Sequence, residues 1–452
     1  MNARRQTGFV SPRRIAIAAM AAVLCFATGC SYLIISGGRV DEAKVRRIEA
    51  DIQTLRQLHF KHPVAITVKS RDEAEAMMET DLMRDNTPEQ LAAEGAAGAM
   101  IGLYPPGIGL KAEQLKLLKS QVAGFYDMRG KKMVLVAGAE GIGFWGDTAE
   151  FLMRRDIVGQ MVLAHELTHA LQDQNFGLGA ALDRVKDNGD RTLALKSVCE
   201  GDATIAGFAY VMGGMSAATA DWVASKLQDL PAALAAQAPG TPRGIGEPLL
   251  FQYSAGVKFV AEAYRHGGWA AVDALYRHPP QSTQEIIDPA RYFANPDAPA
   301  PTVKLAGYEG LMPGWKKIED DTMGELLLRV ILQNELGENS PYVGLASRWH
   351  GDQIAILTHG EDTSVIWMIA FADANSAHRF ATVYASALDR VRKDKPPYRI
   401  ATRGSAVLIA MGYAADYFAT LAPAVWKSSA IEPVAPTLPH VAEAEAQREH
   451  PR

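Results

Sequence analysis

Apolar residues recur at helical spacing from Asp41 to His59, at Val45, Ile48, Ile52, Leu55 and Leu58, which predicts an amphipathic helix. Val64–Val68 predicts a short strand, and an acid-rich helix is expected from Arg71. Residues 86–113 are rich in Gly, Ala and Pro, with turn signals at Pro105-Pro106-Gly107. Gly124–Asp127 and Met133–Val136 predict a hairpin around Arg129-Gly130. Met133–Val136 is either an exposed edge able to pair with an extended peptide or an interior strand.

Residues 147–293 predict helices. Ala149 to Asn175 is a long amphipathic one, and Arg191 to about Met215 is another. The apolar second half of the latter is interrupted by Gly213-Gly214 and is too short to span a bilayer comfortably, so a buried helix is expected. Residues 230–247 read as a loop. Tyr253–His266 and Trp269–Tyr276 read as two further helices, ended by Pro279-Pro280. Residues 300–427 predict a separate α+β unit: a helix at Thr322–Gln333, strands at Ile354–Thr358 and Val365–Ala370, a helix at Asn375–Val391 and a strand at Ala406–Met411. This β-β-α-β order resembles half of a ferredoxin-like sandwich. Residues 428–452 lack periodicity and read as a solvated, disordered tail. The fold class is therefore α+β, mainly helical at first, with a small upstream β-hairpin and a smaller α+β unit after it.

Composition agrees with this division. The chain has 452 residues, 48% hydrophobic and 21% charged, enough for two or three domains with sizeable cores. The net charge is −5, so there is no basic field of the kind a dedicated nucleic-acid binder carries. Three cysteines, Cys25, Cys30 and Cys199, cannot build a disulfide scaffold.

The first 29 residues form a targeting segment. Arg4, Arg5, Arg13 and Arg14 are unopposed by any acid, and an apolar run from Ile15 to Phe26 is too short to span. Small residues Ala27, Thr28 and Gly29 then precede Cys30. This arrangement resembles a bacterial lipoprotein signal with its lipobox. The resemblance implies cleavage before Cys30 and lipid on its thiol and new N-terminus. Residues 30–38 would be a tether, and Ser31 after the Cys resembles the pattern sorted to an outer membrane. Loss of the four arginines takes the net charge to about −9. The expected location is the cell membrane or outer membrane, lipid-anchored and facing periplasm or exterior.

The chemistry lies in Leu163-Ala-His165-Glu166-Leu-Thr-His169-Ala-Leu171. Histidines at i and i+4 share one helical face, one turn apart. One Zn²⁺ can reach both at about 2.0–2.1 Å, and the intervening glutamate can take a proton from its water. The neighbouring Leu and Ala residues are apolar, and buried His and Glu side chains without a partner would cost several kcal/mol. A third protein ligand is needed. Gln172 and Asn175 stand where metzincins need Gly and His, so that class is excluded.

Downstream runs Ser197-Val-Cys199-Glu200-Gly201-Asp202-Ala203. HExxH on one helix and a Glu on the next resembles the gluzincin, thermolysin-like metallopeptidases, over about residues 120–215. The resemblance implies zinc held by His165, His169 and Glu200, Glu166 as general base, and a zincin-like metallopeptidase domain over residues 39–299. Cys199 and Asp202 are rival ligands that face elsewhere on the helix. Asp173 is either an acceptor behind an imidazole or a solvated helix end. Tyr253 is either a second oxyanion donor or a packed tyrosine. Gly124–Met128 and Pro279–Ile286 also resemble segments of exported bacterial proteins of unknown function. Asp288 stands where such sequences often carry His, a departure that bears on oxyanion binding.

Two functions follow. One is a membrane-anchored zinc metallopeptidase acting on peptide or protein substrates in the cell envelope. The other is a non-catalytic zinc-binding lipoprotein serving as scaffold. Glu166 favours the first, because a structural site needs no base and usually has four protein ligands.

Overall fold

Helices in the first half begin where the sequence supplies a cap. The structure is a computed structural model that describes residues 35–36, 39–120, 124–136, 157–228, 240–296, 300–391 and 396–434. The signal segment, Cys30, residues 149–156, most of the 230–247 loop and residues 435–452 lie outside the described residues. After the short strands β1 (Ile35–Ser36) and β2 (Arg39–Val40), helix α1 (Glu42–Arg56) starts at Asp41, whose side chain accepts from Lys44 N. It buries Val45, Ile48 and Ile52, as their spacing predicts. Strand β3 (Ala65–Lys69) leads into α2 (Arg71–Asp85), which opens on a Ser70/Glu73 capping box.

A second capping box, Thr87/Gln90 with Pro88 in the first turn, starts α3 (Pro88–Ile101) within the turn-rich stretch. Helix α4 (Leu110–Ser120) follows. Strands β4 (Gly124–Asp127) and β5 (Lys132–Val136) form the expected hairpin, and β5 also pairs in parallel with β3. The order β3-β5-β4 makes β5 the interior strand and β4 an edge. The Met133–Val136 segment is therefore not an exposed edge for a peptide.

Helices α5 (Ile157–Phe176), α6 (Leu178–Val185), α7 (Gly189–Met212), α8 (Ala217–Leu227) and α9 (Arg243–Arg277) form the helical body. α7 packs against both α5 and α9. An added Cβ at Gly201 would come 2.5 Å from the Gly256 carbonyl carbon and 2.9 Å from Val257 N, so the α7–α9 crossing is backbone on backbone. Helix α9 starts earlier than its apolar pattern suggests. It is broken at Gly267-Gly268, where Gly268 has φ 63 and ψ −152, so the two predicted helices are halves of one kinked element. Among the described residues no helix is long and apolar enough to cross a membrane.

Short helices α10 (Thr283–Ile287) and α11 (Pro289–Ala294) lead to the second unit. Strand β6 (Ala300–Lys304) precedes β7 (Lys316–Asp321), α12 (Gly324–Leu336), β8 (Trp349–His359), β9 (Asp362–Phe371), α13 (Ala374–Val391), β10 (Tyr398–Arg403), β11 (Ala406–Met411), α14 (Tyr413–Asp416), α15 (Phe418–Ser428) and β12 (Ala430–Val434). The main sheet is antiparallel throughout, in the order β10-β11-β9-β8-β7. Strand β11 lies between β9 and β10, the two strands that α13 joins, which is the split β-α-β arrangement of a ferredoxin-like half. Strand β9 is apolar on both faces. Val365, Trp367 and Ile369 pack with α12, α13 and α3, whereas Ile366, Met368 and Ala370 pack toward Leu421 and Val425 of α15. Residues 430–434 are not solvated tail: they pair with β6.

The two units share structure beyond the expected boundary at residue 299. Ala93, Ala97 and Ile101 of α3 belong to the core of the C-terminal sheet, and Tyr384 Oη donates to Ile101 O at 2.8 Å. From the Pro279–Ile286 segment, Thr283 N donates to Asp190 Oδ1 at 3.1 Å, and Gln284 Nε2 donates to Glu325 at 2.8 Å and Trp349 O at 3.0 Å. That segment joins the units. Asp288 is exposed and pairs with Arg291 at 3.3 Å.

Candidate metal centre

Helix α5 is apolar along the side that meets the small sheet and α1, where Leu163, Ala164, Leu167, Ala170 and Leu171 are buried. That packing fixes its rotation and turns His165 and His169 toward α7, which supplies Glu200. Both imidazoles are buried, with ring centroids 4.7 Å apart and planes at 89°. Their Nε2 atoms are 3.1 Å apart. Glu200 Oε2 lies 3.2 Å from His165 Nε2 and 3.5 Å from His169 Nε2.

These distances test whether a metal fits. A tetrahedral ion with bonds of about 2.0–2.1 Å holds its ligand atoms about 3.3 Å apart. The three observed separations bracket that value. Glu200 Oε2 is buried and has no hydrogen-bond donor, so its lone pairs point into the space the nitrogens share. His165, His169 and Glu200 therefore form a cluster that can hold a metal ion, and two nitrogens with one carboxylate oxygen leave a fourth position open. Among the described residues no other such cluster of His, Cys, Asp and Glu occurs. Cys199 and Asp202 take no part. Cys199 is a buried thiol pushed well above its ordinary pKa by burial, and Asp202 faces the opposite way, onto Arg56.

The electrostatics are those of a site where protons and a cation compete. Burial opposes charge on His169, but Glu200 overrides it and pushes His169 up to about 9. Burial also works against the Glu200 carboxylate, yet the facing imidazoles hold it well below the usual range. Metal replaces such protons when it binds.

Glu166 is aimed beside the cluster and is not part of it. Burial raises its pKa against the pull of both imidazoles, and the Tyr126 amide donates to its Oε2 at 2.9 Å. The unpaired edge of β4 thus faces the glutamate. Tyr253, from α9, also reaches the site. Its ring lies 6.4 Å from that of His165 at 27°, and burial, with the Glu200 and Glu166 charges adding to it, pushes its hydroxyl well above the ordinary tyrosine pKa. The same ring packs against the core of the helical body.

Asp173 fits neither expectation for it. It is buried and accepts from Tyr126 Oη at 3.1 Å and Gly179 N at 3.2 Å, pinning β4 to α5. The group behind His169 is Gln172, whose Oε1 is 2.9 Å from His169 Nδ1. Sequence reasoning considered that position only as a missing metzincin glycine. Its signal was present, since i+3 places it over the same face as His169.

Trp349 and Trp367 both donate to buried Asp352 at 2.8 Å, anchoring the turn before β8. His266 pairs with Glu262 at 3.4 Å at the end of the first half of α9. The backbones of His59 and His62 are held by Asn175 and Gln174.

A family model reaches the other unit. Residues 312–420 match a domain of unknown function (DUF8575), a span that holds the C-terminal sheet and none of the metal-cluster helices. No curated protein matches the chain. A solved structure from Chloroflexus aurantiacus, described provisionally as a hydrolase with a novel fold, is similar at 17% identity and a TM-score of 0.37. The match covers 62% of this chain and 96% of that one. A likeness this loose decides neither fold nor chemistry.

Proposed function

We propose that the chain is a zinc-dependent metallopeptidase that hydrolyses peptide bonds in the cell envelope, held at the membrane by lipid on Cys30. The observation that carries this is the convergence of His165, His169 and Glu200 at tetrahedral spacing, with the non-ligating Glu166 beside them. Two imidazoles and one carboxylate with an open fourth position suit catalytic zinc better than a closed structural site. Bound zinc would polarise a substrate carbonyl and lower the pKa of its water to about 7.

The chain's own residues do the rest. Glu166 takes the proton of the attacking water and returns it to the leaving amine. The Tyr126 amide occupies Glu166 Oε2, which leaves Oε1 for that proton. Burial raises the carboxyl's proton affinity, the direction a general base needs. Tyr253 stands beside His165 with a protonated hydroxyl that can donate to a developing oxyanion.

The test is zinc content and cleavage of a broad peptide library by the purified chain. Wild type should hold about one Zn²⁺, and His165→Ala, His169→Ala and Glu200→Ala should each lose most of it. Glu166→Gln should keep zinc while hydrolysis falls by roughly 10²–10⁴-fold. Equal cleavage by Glu166→Gln and wild type removes Glu166 from the mechanism. Zinc bound without cleavage of any library peptide replaces the enzyme with a zinc-binding scaffold.

A further inference from the structure

The polar side chains behind the cluster form a chain that ends far away in sequence. Gln172, Asp202 and Arg56 are each fully buried. Gln172 Nε2 donates to Cys199 O at 3.0 Å and to Asp202 Oδ2 at 3.1 Å. Asp202 in turn accepts from Arg56 Nη2 at 3.1 Å and Tyr276 Oη at 2.8 Å, and its other oxygen lies in ion-pair contact with Arg56 Nε at 2.7 Å. Arg56 also reaches Asp273 at 2.8 Å and lies over the Trp269 ring, 4.2 Å from its centroid.

This network settles which way the Gln172 amide points. Both acceptors beside its Nε2 are oxygens that cannot donate, one a carbonyl and one a carboxylate paired with arginine. The nitrogen end must face them, so the oxygen end faces His169. A carbonyl oxygen can only accept, and at 2.9 Å it requires the hydrogen on His169 Nδ1. In the neutral ring that a metal requires, the Nε2 lone pair then points at Glu200 and His165.

We propose that Gln172 is a positioning residue of the metal centre, locked by Asp202 and Arg56, which fixes His169 as the Nδ1–H tautomer and presents Nε2 to the metal. This rests on the zinc assignment above. A metal-bound imidazole is oriented by the partner of its second nitrogen, and loss of that partner typically costs about 10–100-fold in affinity. The orienting group here is a neutral amide. It is held by a buried Asp–Arg pair whose arginine ends α1, 146 residues from Asp202. Helix α1 thereby becomes part of the metal site's support.

Chelator competition with Zn²⁺ on the full chain tests this. Gln172→Met, similar in length but without the amide's carbonyl acceptor, should raise the zinc Kd by about 10–100-fold. Gln172→Glu combined with Asp202→Asn keeps an acceptor at residue 172 and a donor at residue 202, and should bind zinc more tightly than Gln172→Met. A Kd for Gln172→Met within threefold of wild type overturns the proposal, as does a double variant no tighter than Gln172→Met. A wild-type measurement needs no variant to fold: in zinc-loaded protein with ¹⁵N-labelled histidine, His169 should show a proton on Nδ1 and metal on Nε2. Metal on Nδ1 overturns the proposal outright. A wild type that binds no zinc overturns the ligand assignment itself, a failure distinct from both.

Discussion

Gly201→Ala should loosen the metal centre without touching a ligand. Glu200 stands on α7 next to Gly201, where α7 crosses α9 backbone on backbone. The alanine Cβ would lie 2.5 Å from the Gly256 carbonyl carbon and 2.9 Å from Val257 N, where ordinary Cβ contacts begin at 3.4 Å. The obstacle is backbone on both sides, so it cannot swing away as a side-chain tip would. The helices must part by about 1 Å, and even half of that at Glu200 exceeds the roughly 0.2 Å tolerance of a metal–ligand distance. Overpacking of this kind costs typically about 1–3 kcal/mol.

The expected outcome is a zinc Kd raised by about 10–100-fold, as for other displaced supports, with a melting temperature lower by a few degrees. Chelator competition and thermal unfolding of metal-free protein measure the two separately. Gly246→Ala on α9 is the control. There an added Cβ meets only Thr241 Cγ2 at 3.4 Å, so the change should be neutral or slightly stabilising. Unchanged zinc affinity and unchanged melting in Gly201→Ala would refute the argument that this crossing sets the position of Glu200.

Two further outcomes are expected. Cys30→Ser should abolish incorporation of labelled fatty acid, because serine offers no thiol for the thioether; label in the variant, or none in wild type, removes the anchor. Asp190 is pushed up to about 8 by burial, with the Asp352 and Asp321 charges adding to it. Its folded form then keeps a proton that the unfolded chain releases near pH 4, so its contribution to stability falls as pH rises from about 4 to about 8. Asp190→Asn should gain stability over wild type at pH 8 relative to pH 5, and an equal difference at both pH values rules this out.

What was legible in the sequence was local. His165, Glu166 and His169 are set by helical spacing alone, and Glu200 needed only a helix returning after a loop. Helix α3 was missed because Ala and Gly on every side leave no apolar period, although Thr87-Pro88-Glu89-Gln90 carries its capping box. Strand β7, Lys-Lys-Ile-Glu-Asp-Asp, was missed because an edge strand can carry charge on both faces. The strand at 430–434 depends on pairing with residues 300–304, which no local pattern announces.

The same division holds within the candidate metal site. Its ligands lie on two neighbouring helices, but the groups that orient them come from residues 56, 126, 172 and 202, joined only when α1, β4, α5 and α7 pack. A lone arginine closing an amphipathic helix reads as a solvated helix end, because helix C-termini favour cations there. Burial inverts that reading. An arginine with no solvent exposure persists only where carboxylates meet it, and the carboxylate that meets Arg56 is also the one that holds Gln172. The ligands could be found by asking which residues bind metal. Their supports had to be found by asking why a charge is buried.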